Sequence, residues 1–139
     1  MLAERGVPVC AHLGLTPQSV NKFGGFRVQG RDAASAEKIL ADAKLLAEAG
    51  ADLLVLECVP AALAARITRE IAIPVVGIGA GRDTDAQVLV INDILGLTEQ
   101  PPKFSKNFLL EANDIPGAMQ KYVADVKTGI FPGDDNIFI

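Results

Sequence analysis

Three groups of residues have the chemical types that catalysis uses, and all fall where apolar runs end. Glu57 closes the aliphatic run "LLVLE", His12 closes "VPVCAH", and Gly77, Gly79 and Gly81 close "PVVGIGAG". A carboxylate in the mouth of an apolar strand is partly desolvated, which raises its pKa and makes it a stronger base toward a carbon-bound proton. The same residue would also suit a surface position, or an ion pair with Arg31 or Arg82. His12, the only histidine, reads either as a hydrogen-bonded packing residue or as a group that orients a carbonyl or carboxylate oxygen. The glycines permit close backbone approach, so they read either as an anion cradle or as a sharp exit from a crowded strand. They do not match the dinucleotide fingerprint, because they are spaced by two and no acidic ribose partner follows.

The two cysteines, Cys10 and Cys58, sit in or beside apolar runs without any CxxC or Cys/His ligand spacing. Buried reduced thiols are expected, with a Cys10–His12 nucleophile pair as the sharper alternative, since alternate strand positions share a face. No metal-ligating set is legible among these residues.

The elements that must position these groups follow from hydrophobic period. Val7 to about His12 predicts a strand, followed by a long Gly- and Gln-bearing loop, Gly14 to Arg31, expected to be packed because it carries Phe23 and Phe26. Asp32 caps a helix whose Ala36, Ile39, Leu40, Ala43, Leu46 and Ala47 recur at helical spacing, and Gly50 stops it. Four branched apolar residues, Leu53 to Leu56, predict a strand covered on both faces. Leu63, Ile67 and Ile71 then form the stripe of a second helix, with Arg66 and Arg69 turned away. After Pro74 comes a third strand, then a helical segment around Asp85 to Leu95. Alternating strands and helices imply parallel strands with right-handed crossovers, hence an α/β fold. Residues 1–97 form three such β/α units; residues 98–139 add a Pro-broken connector, a helix with Ala118, Tyr122 and Val126 on one stripe, and a tail expected to be exposed or packed on a neighbour. The whole reads as one domain. In parallel α/β folds the active site lies at the carboxyl ends of the strands, where His12, Glu57 and the glycines all fall.

At 139 residues, 50% hydrophobic and net charge −4, the chain is core-forming and has no basic patch, so nucleic acid is not an expected partner. No apolar run reaches the roughly 20 residues of a membrane span, and the opening "MLAERGVPVC" has no signal-peptide pattern, so the expected address is cytoplasmic.

"VPVCAHLGLTPQSVNKFGGFRVQGR", "LLVLECVP", "IPVVGIGAG", "TDAQVLVINDILG", "PKFSKNF" and "FPGDDN" resemble, in order, the carboxyl-terminal half of the ketopantoate hydroxymethyltransferase (3-methyl-2-oxobutanoate hydroxymethyltransferase) family. The resemblance implies part of a (β/α)8 barrel, its last three β/α units plus C-terminal helices. It implies transfer of a hydroxymethyl unit from 5,10-methylenetetrahydrofolate to 3-methyl-2-oxobutanoate in pantothenate synthesis, with magnesium as cofactor. In that family's mechanism the glutamate of "LLVLEC", here Glu57, is the base that takes the proton beside the keto group. Magnesium on the substrate's keto and carboxylate oxygens stabilises the enolate. His12 falls on a substrate-side position. The magnesium carboxylates, a substrate serine and a lysine belong to the other half of the family's barrel, which needs about 250 residues and eight strands. Ala86 and Asn92 stand where the family usually has glycine and histidine, and Asn136 stands where histidine is usual. A partial barrel leaves open sheet edges, which implies homo-oligomers or pairing with a complementing amino-terminal half. The alternative is a non-catalytic truncated paralogue that associates with the full-length enzyme.

Overall fold

The computed structural model describes all 139 residues, Met1–Ile139. In chain order the strands and helices are β1 (Cys10–Gly14), α1 (Val20–Phe23), α2 (Ala33–Glu48), β2 (Leu53–Glu57), α3 (Ala61–Glu70), β3 (Val75–Ile78), β4 (Ala86–Gln87), α4 (Ile91–Ile94) and α5 (Ile115–Lys127). The four strands form one parallel sheet in the order β1-β2-β3-β4. This is an α/β fold compatible with part of a (β/α)8 barrel: the sheet does not close, and the outer edges of β1 and β4 have no strand neighbour.

The two faces of the sheet differ. Ala11, Leu54, Leu56 and Val75 lie on one face and are buried against Leu40 and Ala43 of α2 and Leu63, Ala64 and Ile67 of α3. Alternate residues point the other way, and there Cys10 is exposed while His12, Val55, Glu57 and Val76 are half-buried. A strand buried on both faces was the expectation for β2; its second face is covered only in part, Val55 packing against the cluster that holds Ile78, Phe104 and Phe108 while Cys10 stays exposed.

Helix α2 begins as its sequence predicts, with the Asp32 carboxylate accepting from Ser35 N–H at 2.9 Å. Helix α3 has no side-chain cap. Its Ala61 N–H instead donates to the Phe138 carbonyl at 3.0 Å, so the tail is packed on its own chain rather than free or on a neighbour. Phe131 is 3% exposed, Asn136 Nδ2 donates to the carbonyls of Lys103 (3.2 Å) and Ser105 (3.1 Å), and Arg82 pairs with Asp134 at 2.6 Å. Asn136 thus pins the tail. Replacing Asn136 by Ala removes these two hydrogen bonds and the one its Oδ1 accepts from Gly133 N–H, and should cost about 2–3 kcal/mol in denaturant unfolding.

A second correction concerns residues 85–95. Instead of one helix they form a short fourth strand and a single helical turn. The Asp85 carboxylate accepts from Val75 N–H (2.8 Å), Gln87 Nε2 donates to Gly81 O (2.9 Å) and Thr84 Oγ1 (2.7 Å), and Val88 N–H donates to Gly77 O (3.0 Å). These bonds hold the segment extended beside β3, and the branched Val88 and Val90 favour that state. The connection from β3 to β4 therefore has no helix.

The C-terminal helix is fixed by a buried carboxylate. Asp125 is 2% exposed, and its oxygens meet Lys121 Nζ at 2.5 Å and Lys106 Nζ at 3.4 Å. Hydrogen bonding to Lys121 holds its pKa below the usual carboxylate range. A depressed folded-state pKa contributes stability that is complete above the unfolded value, near 3.8, and lost as pH falls through the folded one. Stability should therefore decline below about pH 4 more steeply in the native chain than in Asp125→Asn, as read by urea midpoints across pH.

Candidate active site

Parallel pairing in register sets the geometry at the rim. His12 lies opposite Val55 and Gly14 opposite Glu57, so His12 and Glu57 are diagonal neighbours on the same open face. His12 Nε2 comes within 3.1 Å of Glu57 Oε2. No acceptor lies in line with the Nε2 hydrogen, so the approach is close without being a directed hydrogen bond. The Glu57 side chain is 14% exposed. Burial pushes its carboxyl above the ordinary carboxylate range, and the charge and hydrogen-bonding capacity of His12 pull part of that rise back. A half-buried, weakly acidic carboxyl beside an imidazole is suited to taking a proton from carbon.

Local backbone geometry aims this carboxyl. The Glu57 carbonyl accepts from Leu15 N–H at 2.8 Å and Cys58 N–H donates to Ile78 O at 2.9 Å, tying the end of β2 to both neighbours. Cys58 adopts φ +49°, the one non-glycine residue with positive φ. Such backbone is costly outside glycine and recurs at functional turns. The Cys58 thiol is buried, and its pKa is pushed up to about 12 by burial and the neighbouring Glu57, which makes it unreactive. Cys10, expected to be buried, is exposed, and its Sγ lies 3.9 Å from Ala11 O while His12 faces Glu57. The exposure follows from its place on the uncovered face.

The glycines of "GIGAG" serve packing. A Cβ on Gly77 would meet Thr84 Oγ1 at 2.6 Å, one on Gly79 the Phe104 ring at 2.7 Å, and one on Gly81 the Ala61 Cβ at 2.6 Å. At each position the chain itself fills the space a side chain would need, so glycine is required by close packing, as the sharp-exit reading expects.

Beside Glu57 opens a cavity of about 660 Å³, walled by Leu15, Phe26, Val28, Ile78, Phe104 and Phe138 and carrying the polar groups of Asp93, Gln100 and Lys103. Sequence reasoning placed Asp93 inside a helix and assigned it nothing. The only signal was a carboxylate within the apolar run "VLVINDIL". Nowhere do three His, Cys, Asp or Glu side chains converge as metal ligands. Magnesium requires a near-octahedral set of oxygens, and Glu57 with His12 does not supply one, so the residues present do not fit a magnesium centre. No helix is long and apolar enough to cross a membrane.

Comparison with known proteins adds an independent line. The family model described as ketopantoate hydroxymethyltransferase matches residues 1–134. The chain is 75% identical over 138 residues to a 3-methyl-2-oxobutanoate hydroxymethyltransferase of Saccharophagus degradans, covering 99% of this chain and 51% of that protein. It is 58% identical over 139 residues to the same-named protein of Shewanella halifaxensis (99% and 53%) and 60% identical over 139 residues to that of Cronobacter sakazakii (99% and 53%). The chain spans about half the length of the curated relatives it matches.

Proposed function

The chain belongs to the ketopantoate hydroxymethyltransferase family, and from that premise we propose that it supplies the proton-abstracting half of a 3-methyl-2-oxobutanoate hydroxymethyltransferase site. The observation that carries the reading is the pairing of half-buried Glu57 with His12 at the carboxyl ends of adjacent parallel strands. In this reading the sheet is the last part of a (β/α)8 barrel and its open face lines the lumen. Residues 1–139 act as one unit, with the connector and tail bracing the rim.

Glu57 takes the C3 proton of 3-methyl-2-oxobutanoate, and the C–H electron pair moves toward the keto oxygen to give an enolate. His12 Nε2, lacking an aligned acceptor of its own, donates to a substrate oxygen. Water adds to the methylene carbon of 5,10-methylenetetrahydrofolate and its two C–N bonds break, releasing tetrahydrofolate and formaldehyde; the enolate carbon then bonds to the formaldehyde carbon, whose oxygen takes the proton held by Glu57 and becomes the hydroxyl of ketopantoate. Magnesium, expected from the family, would be held by residues outside this chain.

The partner this reading requires is a complementing amino-terminal half or further copies of a longer chain. Its support is the pair of unpaired sheet edges and the half-exposed face bearing His12, Val55, Glu57 and Val76. The reaction's reactants are small polar metabolites, so a cytoplasmic site of action is part of the proposal. Growth of a pantothenate-requiring strain tests it: rescue is expected when the chain is co-expressed with the amino-terminal half of the Saccharophagus degradans relative. Co-purification of the halves without rescue would favour the non-catalytic, associating alternative.

A further inference from the structure

The cavity beside Glu57 contains a carboxylate that proton abstraction does not use. Asp93 is 6% exposed and borders the cavity. Thr98 Oγ1 donates to its Oδ1, and Oδ2 accepts from nothing in the chain. A carboxylate oxygen that no donor of the chain reaches leaves an acceptor free at the cavity, which a ligand's N–H groups can meet. The walls point to the shape of that ligand. Phe26 is 79% exposed although it lines the cavity, while Phe104 is 8% exposed across from solvent. Together with Val28, Val90 and Pro102 they leave an apolar slot with a carboxylate inside it, the usual composition of a site for a flat heterocycle.

We propose that this cavity seats the reduced heterocyclic ring of the one-carbon donor, with Asp93 accepting from the adjacent ring N–H and exocyclic amino group of its 2-amino-4-oxopyrimidine edge. The two donors of that edge have the separation of two carboxylate oxygens, so the contact is bidentate, and Oδ1 retains a lone pair for it beside the Thr98 bond. The aromatic side chains cover the ring. Lys103, whose Nζ donates to Ile137 O at 2.8 Å at the cavity wall, offers a cation to the donor's carboxylate tail. Glu57 and Asp93 line one cavity, which brings the carbon that loses its proton and the carbon that is transferred into the same space. This assignment rests on the proposed reaction.

The test uses the chain assembled with the amino-terminal half of the Saccharophagus degradans relative and titrates 5-formyltetrahydrofolate by calorimetry. Asp93→Asn, which turns one acceptor into a donor facing the ligand's donors, should weaken binding about 10- to 100-fold. Phe26→Ala should weaken it about 5-fold or more by removing ring contact. In turnover assays both should raise KM for the donor and leave KM for 3-methyl-2-oxobutanoate in place, a split that general loss of structure would not produce. Phe26 is exposed, so its variant decides the matter if Asp93→Asn fails to fold. Unchanged affinity in the folded variants, or no probe binding by the native assembly, overturns the assignment. Exchange of the oxo acid's C3 proton by that assembly is measured in parallel: its presence keeps the proposed reaction standing if the ring assignment falls, and its absence removes the reaction itself.

Discussion

Glu57→Gln in the assembled protein should slow exchange of the C3 proton of 3-methyl-2-oxobutanoate with solvent by about 10²- to 10⁴-fold, the range that a positioned general base supplies. Glutamine keeps the shape and the polar contact with His12 but cannot accept the proton, so binding of the oxo acid should be little changed. Proton NMR in deuterium oxide reads the exchange directly. The pH profile has a defined sign. Burial raises the Glu57 pKa, and the base is active only when ionised, so exchange should climb with pH to a midpoint above the ordinary carboxylate range. A profile already flat at pH 4–5 would contradict the desolvated environment.

Gly14→Ala should have the largest structural effect. Gly14 pairs with Glu57 in register and holds φ +86°. A Cβ there would stand 2.0 Å from the Glu57 carbonyl oxygen and 2.9 Å from Val59 Cγ1. The obstacle is backbone, which cannot rotate away like a side chain, and the left-handed conformation adds its own cost. Destabilisation of about 3–5 kcal/mol is expected from strain and overpacking together. Because the displaced atom belongs to the proposed base, any folded remainder should, once assembled, also have lost most of the exchange proposed for it. Gly25, whose φ is +120° with nothing within 4 Å of its Cβ position, provides the comparison: alanine there meets strain without collision and should cost less.

These two residues also mark what was legible in the sequence. Glu57 and His12 were readable because a parallel strand announces its end by the switch from aliphatic to polar residues, and neighbouring strand ends share a rim. The helices α2 and α3 were readable from their 3.6-residue stripes. β4 was not, since two paired residues carry too little pattern, and the contacts holding them extended come from Val75, Gly77 and Gly81, the Asp85–Val75 bond spanning ten positions and the Gln87–Gly81 bond six. The fate of the tail was hidden for a similar reason. Its anchors are the N-terminus of α3 and the carbonyls of Lys103 and Ser105, which no local rule connects to Asn136 and Phe138. Asp93 escaped notice because the burial of a carboxylate is set by tertiary packing, which its place in an apolar run does not reveal.

In the proposed function this chain brings a base to a site whose remaining side comes from elsewhere. C3 proton exchange of 3-methyl-2-oxobutanoate, followed by NMR for the 139-residue chain alone and after assembly with the amino-terminal half, decides whether it does. Exchange that appears only on assembly, and disappears with Glu57→Gln, is the expected result. Equal exchange by the chain alone, or exchange that survives in Glu57→Gln, would contradict it.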